Sequence, residues 1–233
     1  MPPSGAFVST SKLRQILAPS LLGLKRNLLP GLVLQVCALL IVLGYVYVPS
    51  IHTLFDEIGQ IKTRYGYGFS ALSTAFFGGV IPFIVLFFMG GIAKGKGYYE
   101  LLFFAGFWCW KGVEVDAFYR LQAVIFGNEN DVATIAMKTA VDQLIYNSLW
   151  ACPTQVVFFL WKDGGFSWSQ FKENLKLIPL RRRVLALLFS GWMVWIPTVM
   201  IVYSLPVALQ IPLFNVVLCF WCLLVSFVVK TTS

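Results

Sequence analysis

The sequence predicts an all-α fold: a polytopic transmembrane bundle of about six hydrophobic spans (four to six), plus an interfacial amphipathic helix. Three observations predict it. Of 233 residues, 58% are hydrophobic and 12% charged, against about 25% charged in soluble domains. Mean hydropathy is +0.78. Apolar runs of membrane-crossing length alternate with short segments rich in Lys and Arg.

Residues 1–27 are polar and basic, with Lys12, Arg14, Lys25 and Arg26. The stretch SKLRQILAPSLLGLKRN reads as a short basic amphipathic helix on a membrane surface. The first span is Leu28 to Val48, its far interface marked by Tyr45, Tyr47 and Pro49. A loop over 50–68 follows, with Asp56, Glu57, Lys62 and Arg64. The second span, Phe69 to Ala93, contains Gly78-Gly79, Pro82 and Gly90-Gly91, and these small residues favour close helix packing. The third starts near Tyr98 and carries Lys111, Glu114, Asp116 and Arg120. Lys111 and Glu114 are i,i+3 neighbours, and Asp116 and Arg120 are i,i+4 neighbours, so both pairs can self-neutralise on one helix.

The fourth span runs from about Ala133 to Trp161. Within it, Lys138, Asp142, Gln143, Asn147 and Thr154 interrupt an apolar run. At roughly 100° per residue, Asp142, Pro153, Tyr146, Trp150, Gln143, Thr154 and Asn147 share one side, with Lys138 just behind. Val141, Leu144, Ile145, Ala151 and Cys152 take the other. The aliphatic side suits lipid. The polar side must meet protein or water, since a charge facing lipid costs about 2.5–3.5 kcal/mol or more.

Asp163-Gly164-Gly165 reads as a turn and Ser167-x-x-Gln170 as a capping box. The interfacial helix follows, with Trp168, Phe171 and Leu175 on one face, and ends at Pro179. Arg181 to Arg183 hold the chain at the headgroups. The fifth span is Val184 to Leu205, broken by Pro197, and the sixth is Ile211 to Val229. With both termini inside, the inner segments collect most of the Lys and Arg, and the outer ones hold Lys62, Arg64, Arg120 and Lys138. The net charge of +8 is therefore a topology signal, and no nucleic-acid partner is expected.

Residues 69–233 resemble the Mpv-seventeen and twenty-two-kilodalton peroxisomal membrane protein family. The resemblance rests on Lys138 followed by Asp142-Gln143, on Gly112 followed by Phe118-Tyr119, and on Trp192, Trp195 and Pro197. Pro206, Trp221 and Ser226 extend it, as does the Trp168–Leu175 helix. Val113 stands where the family has Pro, Gln210 where it has Arg, Pro153 is displaced, and Ile196 interrupts the Trp-Pro contact. Residues 1–68, a basic segment with an extra span, have no counterpart. The resemblance implies a channel-like membrane protein that modulates permeability to small solutes or metabolites, without an enzymatic site.

The residues themselves leave two functions open. In a channel-like protein, Asp142, Gln143, Asn147, Lys138, Lys111 and Glu114 line or gate a polar path for small solutes. In a structural or regulatory bundle they only hold helices together, and Asp142 pairs with Lys138 or with a Trp or Tyr on a neighbouring helix. A homo-oligomer with the path between copies is the alternative arrangement. No G-x-S-x-G, H-E-x-x-H or Walker loop is present, so no enzyme is expected, and no cofactor or metal. Five cysteines, all within apolar runs, argue against a disulfide framework, and Cys219-x-x-Cys222 reads as packing. The expected home is a bacterial plasma membrane, with a mitochondrial inner or peroxisomal membrane as the alternative.

Overall fold

The computed structural model describes residues 31–92 and 95–230. The basic amphipathic helix expected before Leu28, and the basic residues Lys12, Arg14, Lys25, Arg26 and Lys94, lie outside the described residues. Eight helices build the described chain: α1 (Gly31–Tyr47), α2 (Pro49–Tyr65), α3 (Tyr67–Phe88), α4 (Gly97–Phe126), α5 (132–163), α6 (Trp168–Asn174), α7 (Leu177–Tyr203) and α8 (Val207–Lys230).

Two of them are long and apolar enough to cross a membrane: α3, and Leu180–Tyr203 of α7, at 22 and 24 residues. At about 1.5 Å per residue they reach roughly 33 and 36 Å, enough for a hydrocarbon core of about 30 Å. A third qualifies if α1 and α2 count as one broken span, though they meet at 101°. Residues 50–68, expected as a loop, are therefore mostly helix α2. Its Pro49 occupies the first turn, where the missing N–H is harmless. Gly66, at φ 54°, makes the corner into α3.

The packed centre is α8. Ile211, Leu213, Val217 and Leu218 of α8 are all but inaccessible, packed with Val199, Val202 and Tyr203 of α7 and Phe107, Trp108 and Tyr119 of α4. Polar residues tie this core as well. Thr74 Oγ1 donates to Asn215 Oδ1 at 2.8 Å, and Asn215 Nδ2 donates to Ser73 Oγ at 2.9 Å, joining α3 to α8. The outer flanks remain apolar and exposed, with Leu72 and Phe88 on α3, Val124 on α4 and Leu149 on α5.

The closest helix approach is α3 against α4, as the small residues predict. A Cβ at Gly79 would sit 2.8 Å from the Phe104 carbonyl, and one at Gly112 would overlap the Ser70 carbonyl and the Thr74 side chain. The contact is a single stripe, however, and the opposite side of α3 faces outward.

Prolines explain two irregularities. In α3 and α5 the ladder widens to π-helical turns, over Ala75–Val80 and Val141–Ala151. Each widened stretch stops just before a proline in the next α-helical first turn, Pro82 and Pro153. A proline ring crowds the carbonyl four residues back and offers it no N–H, and a slip to i→i+5 bonding relieves both faults. Pro197 was expected to break the fifth span, yet α7 runs through it unbroken. The carbonyl it orphans, Met193 O, accepts instead from Gln35 Nε2 of α1 at 2.8 Å.

The interfacial helix α6 is shorter than expected. Ser167 makes no capping bond to the backbone and pairs its hydroxyl with that of Ser169 at 2.9 Å. The helix gives way at Leu175, and Pro179 lies in the first turn of α7, where proline is tolerated. Only Phe171 of its apolar face is buried, against Val156 and Leu160, while Trp168 and Leu175 stay exposed. Among the described residues no cysteine forms a disulfide.

Candidate functional site

The widened segment of α5 brings the site together. With α-helical pitch, Trp150 would fall on the polar side of the helix and Cys152 on the aliphatic side. The structure reverses both: Trp150 is exposed and Cys152 buried. The wider i→i+5 winding is the reason: it brings Asp142, Gln143, Tyr146, Asn147 and Ala151 to the inner side and turns Leu144, Ile145, Leu149 and Trp150 outward. It also frees a carbonyl: Gln143 O accepts from Ser148 Oγ at 2.8 Å and from Trp192 Nε1 of α7 at 3.2 Å.

Behind this face lies a cavity of about 100 Å³ between α4, α5, α7 and α8. Its polar lining comes from Lys111, Asp142, Gln143, Tyr146, Asn147 and Gln155, and its apolar wall includes Trp108, Trp195 and Trp221. A cavity needs roughly 10–15 Å³ per water and two to four polar partners for each, so the space suits a small water cluster. Four of the six sequence-predicted site residues therefore meet there: Asp142, Gln143, Asn147 and Lys111.

Glu114 stands beside the wall and organises it. Its Oε1 accepts from Lys111 Nζ at 2.7 Å and from the Tyr146 hydroxyl, while Lys111 Nζ also donates to Thr154 Oγ1 at 2.9 Å. Stacked on Phe118, with ring centroids 4.1 Å apart, Tyr146 holds α5 against α4. The i,i+3 spacing of Lys111 and Glu114 thus yields the expected pair.

Lys138 does not pair with Asp142. Asp142 Oδ2 accepts from the Tyr203 hydroxyl at 2.6 Å, and Oδ1 accepts from Gln143 Nε2 at 2.7 Å. The Tyr203 oxygen in turn accepts from Gln122 Nε2 at 2.8 Å, and that amide also reaches Lys138 O at 3.1 Å. The Lys138 ammonium lies 5.9 Å from the Tyr203 ring centroid, in a second pocket of about 350 Å³. Asn128, Asn130, Lys138, Tyr203 and Gln210 line that pocket, which opens where the α4–α5 and α7–α8 links meet. Tyr203 thus borders the outer pocket and bonds to a carboxylate on the wall of the inner cavity.

Tyr203, Gln122 and Gln155 were not singled out from sequence. Tyr203 lies 61 residues from Asp142 and Gln122 lies 81 from Tyr203, and no local spacing announces such pairs. Asp116 carries a similar surprise. Arg120 Nε reaches its Oδ1 at 3.1 Å, as the i,i+4 spacing predicts, but Lys62 Nζ of α2 takes Oδ2 at 2.7 Å, joined by Ser70 Oγ at 2.8 Å. Among the described residues no group of three or more His, Cys, Asp or Glu side chains converges to hold a metal ion. No protein-family model, curated protein or solved structure matches the chain.

Proposed function

We propose that this chain is a channel-like membrane protein that modulates permeability to small solutes, with six spans and both termini on one side. The path runs between α4, α5 and α7, and the family resemblance implies the same class of function. One observation carries the reading. Asp142 is 4% exposed, stands at the polar edge of a mostly apolar cavity, and is linked through one hydroxyl to a second pocket that opens at the end of the bundle. A buried carboxylate bonded only to neutral donors is costly in a purely structural role. Across a path it is useful: it lines the route, and Tyr203 closes it. A bacterial plasma membrane is the setting, with an organelle membrane as the alternative.

A structural bundle remains the second reading, and the ion pairs favour it. Lys62–Asp116–Arg120 and Lys111–Glu114 neutralise themselves, as helix glue would. Solute release from proteoliposomes separates the two. The channel reading expects graded release of small solutes that changes in Asp142→Asn. Tight vesicles with the wild-type protein, or unchanged release in the variant, would leave the structural reading standing.

A further inference from the structure

The outer pocket has an unbalanced charge. Lys138 is 3% exposed, yet among the described residues no carboxylate lies within ion-pair distance of it. The other two buried lysines each hold a carboxylate at 2.7 Å, Lys62 with Asp116 and Lys111 with Glu114. With no carboxylate against it, this ammonium leaves the pocket with a net positive charge that an anion would balance.

Two further features of the same pocket suit an anion. Val207 begins α8, so the positive dipole end of a 24-residue helix borders the space. Asn128 and Asn130 add carboxamides from the α4–α5 link. The volume of about 350 Å³ accommodates a small organic molecule or a headgroup fragment.

We propose that this pocket binds an oxyanion, a phosphate or a carboxylate, held by Lys138 and the α8 N-terminus. The assignment of this anion as the solute entering the path rests on the channel reading. Binding itself does not. The phosphate of an anionic lipid offers the same chemistry, and the test separates the two sources.

The full chain, purified in dodecyl maltoside, is unfolded thermally with inorganic phosphate, with chloride at matched ionic strength, and with dioctanoyl phosphatidylglycerol. Phosphate is expected to raise the midpoint by several degrees over chloride. Lys138→Arg keeps the shift. Lys138→Met weakens the apparent affinity roughly tenfold or more, as loss of a charge-assisted contact does, and without ligand it unfolds no earlier than wild type. Absence of a shift with both phosphate and the lipid, or an equal shift in Lys138→Met, overturns the site. A shift with the lipid alone overturns the soluble-solute assignment. Proteoliposomes complete the test. Glycerol release that survives in Lys138→Met while phosphate release falls supports anion entry. A phosphate-induced shift in protein that releases nothing overturns the channel reading and leaves the binding site intact.

Discussion

The Tyr203 hydroxyl donates to Asp142 Oδ2 at 2.6 Å, fastening the last residue of α7 to the widened segment of α5. Both residues are buried, and Tyr203 also packs edge-on to Tyr119 with centroids 5.1 Å apart. Tyr203→Phe keeps the ring and removes only the hydroxyl. It leaves Asp142 Oδ2 without its donor, at a cost of about 1–3 kcal/mol. The expected result is a lower unfolding midpoint together with faster solute release from proteoliposomes, because the link between the two spaces is cut. Slower release would mean that the hydroxyl guides solute instead of closing the path.

Gly112 supports a prediction about shape. Its missing Cβ admits the Ser70 carbonyl and Thr74, where α3 crosses α4. A backbone carbonyl cannot swing aside as a long side chain can. Gly112→Ala should therefore cost at least the 1–3 kcal/mol or so typical of overpacking. Gly106, on the same helix with nothing near its Cβ position, should accept alanine with a small gain, since glycine is about 1 kcal/mol worse in a helix. Thermal unfolding of the two variants in detergent gives the comparison.

The Asp116 cluster separates buried from exposed charge. Lys62 and Asp116 side chains are 3% and 2% exposed, whereas Arg120 is 43% exposed. Lys62→Met strips a buried partner from Asp116 and should cost about 3–5 kcal/mol. Arg120→Met should cost no more than about 1 kcal/mol. The double change Lys62→Met with Asp116→Asn should recover part of the loss, because no lone charge then stays buried. Unfolding midpoints of the four proteins test the order.

Pro197 and Gln35 form a testable pair. Gln35→Leu leaves Met193 O without a donor, a loss of about 1–3 kcal/mol. Pro197→Ala supplies a backbone N–H to the same carbonyl. In the Pro197→Ala background the Gln35→Leu change should therefore cost much less, and a double-mutant cycle reads that coupling directly.

Asp131 provides a pH dependence outside the bundle. It caps α5, with Oδ1 accepting from the Ala133 and Thr134 amides at 2.9 and 3.1 Å. Hydrogen bonds from the Thr134 side chain and amide, with the Ala133 amide, hold its carboxyl below the usual range. The folded value is thus the lower one. The stabilisation is complete above the unfolded value and disappears as pH falls through the folded one. Amide exchange at Ala133, Thr134 and Ile135, corrected for intrinsic rates, should quicken over that acidic interval in wild type and show no such step in Asp131→Ala.

What was legible in the sequence follows distance along the chain. Lys111–Glu114 and Asp116–Arg120 form as expected because one helical turn brings each pair together. Gly78 and Gly79 announced a close crossing because lack of a side chain has one main use in such a helix, whereas Gly112 on the facing helix was not singled out for it. A Tyr on a neighbouring helix was one of the partners expected for Asp142, but which Tyr, and the partner of Lys62, were not legible, since they arrive from helices 61 and 54 residues away. The face of α5 was misread for a different reason. A helical wheel assumes one pitch, and the proline at 153 changes the pitch upstream of itself. Without that allowance Trp150 and Cys152 exchange sides.

That change of pitch makes α5 sensitive to length in a way that side-chain chemistry does not capture. The rotation between Asp142 and Cys152 is fixed by a chain wound with i→i+5 rather than i→i+4 bonds. Removing one residue from 144–150 would change that rotation, since each residue of an α-helix carries about 100°. Lys138 and Asp142 would then turn together away from Cys152 and the Val184 carbonyl to which its thiol donates. In this segment a single deletion acts as a phase error, and no compensating substitution at one position can repair it.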